Sequence, residues 1–248
     1  RFCMMYPDTY ELGQANQALR ILVNVVNAVD GMVAERAFLP AAEFCDTMRA
    51  EGLPLFSIES CAPVAEFDAL GVTLSHELVA TNVLEALDLA GIPLHAQDRG
   101  EDDLFVIGGG PCSFNPEPYA PFFDIFSIGE GEEALPECLQ AIRRLRAEGA
   151  CRADILRAIA RMDGFYVPNL YRWREEEQAQ QAGSWIEPVE EGLPTHIQKR
   201  VFEGFAESPG WEPCIVPFTE VVQDRLNVEV LRGCARGCRF CQAGMMYR

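Results

Sequence analysis

Leu104-Phe105-Val106-Ile107-Gly108-Gly109-Gly110-Pro111 is a short apolar run that ends in three glycines and a proline. A continuous apolar run of this length suits a strand buried on both faces, as in a parallel sheet. The glycines let backbone come close to whatever occupies the strand's end. Residues 122–128 repeat the pattern and end in Gly129-Glu130-Gly131-Glu132, ahead of a helix expected over 133–147. Upstream, the expected strand 67–74 is followed by Ser75 and a helix over 77–89, stopped at Gly91-Ile92-Pro93. Further upstream, a strand at 2–6 leads to a helix over 14–29, where Leu19, Leu22, Val23 and Val26 recur at helical spacing. A strand at 33–38, a helix from Pro40 through Met48 stopped by Gly52, and a short edge strand at 55–58 complete the series. Repeated strand–helix units predict an α/β, doubly wound, Rossmann-like parallel sheet over residues 1–150.

After that the pattern changes. Residues 151–224 read as an α/β connector and linker. A short helix is expected at 153–161, one or two hairpins follow, an exposed polar loop occupies 174–181, and a proline-containing linker spans 204–217. Residues 227–231 alternate valine and glutamate, and the pattern predicts a strand running into a cysteine-rich loop within the last segment, 225–248. The chain opens on Arg1 and closes shortly after those cysteines, so we expect a piece of a longer protein.

The 248 residues are 49% hydrophobic, enough for a substantial core. No apolar run approaches the roughly 18–20 residues needed to span a bilayer, and no signal-peptide pattern opens the chain. The expectation is a soluble, cytoplasmic protein with no membrane partner. The net charge of −18 disfavours phosphate backbones as partners. Locally the sign reverses: Arg225, Arg232, Arg236, Arg239 and Arg248 face only Asp224 and Glu229. That patch has two readings, an anion or thiolate environment or solvated surface arginines. Among the ten cysteines, Cys3, Cys45, Cys61, Cys112, Cys138, Cys151 and Cys214 are scattered and read as small apolar residues.

The remaining three form Cys234-Ala235-Arg236-Gly237-Cys238-Arg239-Phe240-Cys241. Thiols this close converge on one inorganic centre if backbone wraps around it, and Gly233 and Gly237 supply the freedom to wrap. A [4Fe–4S] cube normally takes four thiolates, so three local cysteines would leave one iron open. Zinc is the rival. It prefers four ligands, usually from paired Cys-x-x-Cys knuckles, and would need Cys214 or His196 from upstream. A disulfide or merely structural thiols are a third reading, disfavoured in a reducing compartment.

On these residues the chain resembles the radical SAM superfamily, whose motif is Cys-x3-Cys-x2-Cys with an aromatic residue before the last Cys, here Phe240. The resemblance implies a [4Fe–4S] cluster on Cys234, Cys238 and Cys241 that binds S-adenosylmethionine at its open iron. It implies reductive cleavage of that molecule to a 5′-deoxyadenosyl radical, with Phe240 near the adenine. It also implies that 227–231 is the first strand of a (β/α) barrel truncated here, and that an electron donor serves the cluster.

The upstream unit resembles the cobalamin-binding-type domain often fused ahead of such barrels. The landmarks are Pro7-Asp8-Thr9-Tyr10, Ser75, Gly108-Gly109-Gly110-Pro111 and Gly129-Glu130-Gly131-Glu132. Ser75, Gly108, Gly109 and Gly110 are thereby candidate cobalamin contacts. The Asp-x-His-x-x-Gly motif that supplies a cobalt-ligating histidine is absent, and His76 does not match it. Cobalamin would bind without a protein histidine, or the domain serves as a scaffold. With Gly91-Ile92-Pro93-Leu94, Asn115-Pro116-Glu117-Pro118 and Gln242-Ala243-Gly244-Met245, the whole chain resembles a bacterial group of radical SAM proteins, often fused to or paired with a radical-SAM-linked domain. That resemblance leaves the substrate unknown and methyl or methylthio transfer, or another radical modification, as candidate reactions. An alternative of another class is a non-catalytic iron–sulfur or zinc-binding interaction module. Glu130, Glu132 and Glu133 read either as bases or metal ligands, or as acids complementing a helix dipole.

Overall fold

A computed structural model describes residues 1–174, 186–207, 215–225 and 227–247. Six strands form one sheet: β1 (Phe2–Tyr6), β2 (Ala34–Phe38), β3 (Ala69–Thr73), β4 (Phe105–Gly109), β5 (Ile125–Ser127) and β6 (Phe165–Tyr166), in the order β2-β1-β3-β4-β5-β6. The first five are mutually parallel, and β6 runs antiparallel to β5. The α/β expectation is met, and the chain order reverses between β1 and β3, where doubly wound sheets open a crevice at their carboxyl edge. The sixth strand comes from the segment read as connector. A small hairpin, β7 (Tyr171–Trp173) with β8 (Ile186–Pro188), follows it.

Alternation sends successive side chains to opposite faces. Cys3, Met5, Leu70, Val72, Val106 and Phe126 pack toward α3 (Ala42–Glu51) and α4 (Ala80–Leu89). Phe2, Met4, Ala69, Phe105, Ile107 and Ile125 pack toward α2 (Gln17–Asn27), α5 (Gly131–Ala147) and α6 (Arg152–Ala160). Both faces are covered, which is why the strands are mostly apolar, with Glu35, Arg36, Thr73 and Ser127 as buried polar exceptions. Buried thiols are part of this packing. Burial alone pushes the Cys138 thiol up to about 12, so Cys3, Cys45, Cys112 and Cys138 serve as apolar filler.

Some boundaries move. The helix expected from 14 starts at Gln17, because the Asn16 side chain accepts the Leu19 amide hydrogen bond at 3.0 Å and caps it. A separate turn, α1 (Tyr10–Gly13), precedes it. Gly52 closes α3 in the left-handed region at φ 66°. The edge strand expected at 55–58 does not form; an isolated bridge joins Phe56 to Pro63. Pro63 has no N–H to extend a ladder, and the turn instead presents the Ser57 and Ser60 hydroxyls to Glu35 at 2.6 Å each. The strand expected at 227–231 is also absent among the described residues. Val228, Val230 and Leu231 are exposed, and an extended segment without a ladder partner does not hold as a strand. The loop expected at 174–181 and the linker at 204–217 fall partly outside the described residues, as do Cys214 and Arg248.

At the end of the sheet opposite its carboxyl edge, Asp124 is 1% exposed. Its Oδ2 accepts from Arg99 Nη1 at 2.8 Å and from the Val106 amide, while Arg152 Nη2 stands 2.8 Å from Oδ1. One carboxylate thus ties β4, the 93–99 turn and α6 together. Removing one member of a buried pair leaves uncompensated charge. Asp124→Ala is expected to lower unfolding stability by about 3–5 kcal/mol, read by urea denaturation. A loss under about 1 kcal/mol would show that water or rearrangement relieves the two guanidinium groups.

Candidate functional site

On the α2/α5 face β4 and β5 lose side-chain bulk toward the carboxyl edge, and β3 carries only small side chains along its length. β3 runs Ala69, Gly71, Thr73; β4 runs Phe105, Ile107, Gly109; β5 runs Ile125, Ser127. A Cβ at Gly71 would strike Phe2 and Met4, while one at Gly109 would meet nothing within 4 Å. The result is a cavity of about 500 Å³ between the sheet and helices α2 and α5. That volume lies in the ordinary range of small-molecule sites. Phe2, Met4, Ile21, Leu22, Ile107 and Leu135 give it an apolar interior.

Its rim is polar. Gly110 stands at φ 102°, where a Cβ would press on the Leu74 carbonyl, so the turn after β4 requires glycine. The buried Ser113 hydroxyl donates to the Gly110 carbonyl at 2.6 Å and lies 3.0 Å from the Ser127 carbonyl, fixing that turn against β5. Three rim hydroxyls, Thr73, Ser75 and Ser127, are buried without a hydrogen-bond partner among the described residues. Buried hydroxyls are ordinarily satisfied, and an unsatisfied one is costly. Three on one cavity would be satisfied by bound water or by a ligand's polar atoms. Sequence reading found Ser75, Gly108, Gly109 and Gly110, and the fold brings all of them to this cavity. It missed Thr73 and Ser127. Counting by twos from Gly71 along a buried strand would have found Thr73. His76 is exposed and stands outside the lining.

The far wall comes from the chain's last described segment: Glu229, Leu231, Arg232, Gly233 and Tyr247. Arg232 binds Glu132 at 2.5 Å, Glu229 at 3.0 Å and Glu130 at 3.4 Å. Burial opposes its charge, and hydrogen bonds to Glu229 and Glu132 more than offset this, raising its pKa. The Tyr247 phenol is pushed up by burial and by Glu130, against a smaller opposite pull from Arg232, and stays a protonated donor. Glu130 and Glu132 therefore act as partners of an arginine as well as helix-start acids. Glu133 lies 3.7 Å from Arg200.

Cys234, Cys238 and Cys241 follow directly. They are free thiols; the first two are exposed and the third half-buried. Phe240 is 93% exposed. The Cys241 amide bonds the Cys238 carbonyl at 3.2 Å, a turn that keeps those two residues adjacent. Among the described residues, no group of three His, Cys, Asp or Glu side chains stands arranged around a metal position. The donor chemistry of three neighbouring thiols suits an iron–sulfur centre, whose assembly would be coupled to folding of the loop. Arg225, Arg236 and Arg239 are exposed, so among the described arginines of the basic patch only Arg232 is engaged with the cavity. No described helix is long and apolar enough to cross a membrane.

Residues 18–168 match the family described as radical SAM proteins, N-terminal. The chain belongs to this family. The match covers strands β2 to β6 and ends upstream of the cysteine loop. No functionally curated protein matches the chain. Among solved structures it is similar to TsrM, a radical S-adenosylmethionine methyltransferase from Kitasatospora setae, solved with tryptophan substrate and the SAM analog aza-SAM bound. Identity is 17% and the TM-score 0.40, over 78% of this chain and 30% of that one. The chain thus spans under a third of that methyltransferase's length.

The unpaired hydroxyls give a test with an unusual sign. Thr73→Val and Ser127→Ala remove groups that are desolvated without compensation. Each is expected to leave the ligand-free protein as stable as before, or more stable by up to about 1 kcal/mol, in urea unfolding. A loss beyond about 1 kcal/mol would mean that these hydroxyls are already paired.

Proposed function

We propose that this chain supplies the cofactor-handling front part of a radical SAM enzyme, with two binding surfaces side by side. Cys234, Cys238 and Cys241 would hold a [4Fe–4S] cluster, and the edge cavity would hold part of cobalamin. The observation that carries this reading is the cysteine spacing, rooted at the mouth of a cavity with three unpaired hydroxyls, in a chain of this family. When bound, the cluster supplies the electron that cleaves S-adenosylmethionine's sulfonium bond to yield the radical used on substrate.

The chain's own residues have defined tasks in this scheme. The three thiolates would each hold one iron of the cluster and leave the fourth iron without a protein thiolate, open to S-adenosylmethionine. Phe240, free on the surface, offers an aromatic face to an adenine. Thr73, Ser75 and Ser127 donate to or accept from polar atoms of the cavity's ligand, while Met4, Ile21 and Leu135 exclude water from its apolar part. A cavity of about 500 Å³ takes only a portion of a corrinoid, so the rest would extend over the open edge. With His76 outside the lining, cobalt would have no histidine ligand from this chain. The exposed loop leaves room for an electron donor and a radical-SAM-linked domain. Free surface thiols fit a reducing, cytoplasmic setting. Methyl or methylthio transfer to an unidentified substrate is the reaction class.

A second reading has one observation in its favour. Phe240 and two thiols lie on the surface, which suits a zinc or iron–sulfur module that binds a partner rather than a substrate. Metal analysis separates the two. After anaerobic reconstitution, about four irons and four sulfides per chain are expected, lost on Cys234→Ala, Cys238→Ala and Cys241→Ala, with hydroxocobalamin binding weakened by Thr73→Val. One zinc per chain and no sulfide would overturn the enzyme reading.

A further inference from the structure

The cysteine loop leaves and re-enters the body of the protein at one place. Its first end is Arg232-Gly233 and its second is Met246-Tyr247, the last turn of α7 (Ala243–Met246). Gly233 stands at φ 85°, and a Cβ there would collide with the Tyr247 carbonyl oxygen. The two ends are therefore in backbone contact, and the residues between them form a closed loop.

That closed base rests on a strap and on a turn. The strap is 199–205. Arg200 bridges Gly129 in parallel fashion, its amide donating to the Ile128 carbonyl at 2.9 Å and its carbonyl accepting from the Glu130 amide at 3.0 Å. Arg200 is also clamped by Glu137 at 2.9 and 3.0 Å. Lys199 Nζ then donates to the Met246 carbonyl at 2.6 Å, holding the loop's second end. Arg232 holds the first. Its guanidinium reaches Glu130 and Glu132 in the turn that opens α5, and Glu229 on its own segment. It also lies over the Phe205 ring, 5.2 Å from the centroid, and 6.0 Å from that of Phe202. The Phe202 amide donates to the free oxygen of Glu130 at 2.5 Å, so the same carboxylate serves strap and arginine.

Glu132's side chain is only 7% exposed and Glu130's 16%. Two half- to fully-buried carboxylates at the mouth of an apolar cavity repel one another and are poorly hydrated. A planar guanidinium with five donors satisfies both at once; an ammonium has no such fork. The geometry points to Arg232 as a positioning residue that docks the cysteine loop onto the rim of the edge cavity, so that the loop's metal and the cavity's ligand share one space. This rests on the cluster reading for its functional meaning, but the docking itself is a property of the protein alone.

The test uses the full-length protein, first without metal. Backbone hydrogen exchange across 233–247 is measured in the parent, Arg232→Gln, Arg232→Lys, Glu132→Gln and the double variant Arg232→Gln/Glu132→Gln. Amides of β1, β3 and β4 report whether each variant is folded. Arg232→Gln is expected to speed exchange in the loop by roughly tenfold, in the range of couplings between contacting charged groups, with the strand amides unchanged. Arg232→Lys recovers only part of the protection. Adding Glu132→Gln to Arg232→Gln recovers some as well, because it removes the carboxylate left without a partner. A general loss of packing would not reverse in this way. In reconstituted protein, Arg232→Gln should load the same iron but lose it to a chelator severalfold faster. Unchanged loop exchange in Arg232→Gln, or strictly additive effects in the double variant, overturns the proposal. If the parent takes up no sulfide-containing cluster, the cluster reading fails, and the exchange measurements still decide whether Arg232 docks the loop.

Discussion

A parallel sheet delivers all of its strands to the same edge, and at that edge the ladder runs out. The last carbonyls and amides of β1, β3, β4 and β5 must find partners elsewhere, and the helices that cover both faces begin just beyond them. In this protein that constraint is met by glycine turns braced from within: Ser113 bonding back to Gly110, and Leu74 bonding across to Gly109. The cavity and the base of the cysteine loop are assembled on this braced edge. The small side chains of β3 and the tapering ones of β4 and β5 open the cavity, the turn after β5 starts α5, and that turn's glutamates receive the arginine of the cysteine loop.

The sheet was legible because its strands are buried on both faces. Burial forces near-continuous apolar runs, and runs such as 104–107 stand out against the polar turns between them. Helices with an apolar stripe were equally plain. The misreadings share a cause. Residues 55–58 and 227–231 carry strand-like composition, but strand formation is a property of a pair, and composition does not reveal whether a partner is present. Pro63 limits the first to one bridge, and the second has no partner among the described residues. β6 was hidden for the converse reason. A two-residue strand has too little pattern to read and exists because β5 offers it an edge.

The site divides along the same line. Glycine runs at strand ends and the cysteine spacing are local signals, and both were visible. The unpaired Thr73 and Ser127 hydroxyls were not, because lack of a partner is a fact about everything around an atom. Arg232 was visible only as one of several arginines near the cysteines. Its three carboxylate partners include two that lie about a hundred residues upstream, and charge counting along the chain cannot tell such an arginine from its solvated neighbours Arg236 and Arg239.

The distribution of charge gives the arrangement its logic. The chain carries a net −18, and most of its surface repels anions. At the cavity mouth three glutamates converge, which alone would make the rim hostile to an anionic ligand or to thiolates. Arg232 neutralises part of that charge and does so from within the segment that carries the cysteines, one residue before the loop begins. Because the guanidinium is tied to the loop's backbone, the loop cannot leave the rim without exposing the carboxylates to one another. Docking and local charge balance are therefore the same interaction, and a neutral residue at position 232 would disturb both together.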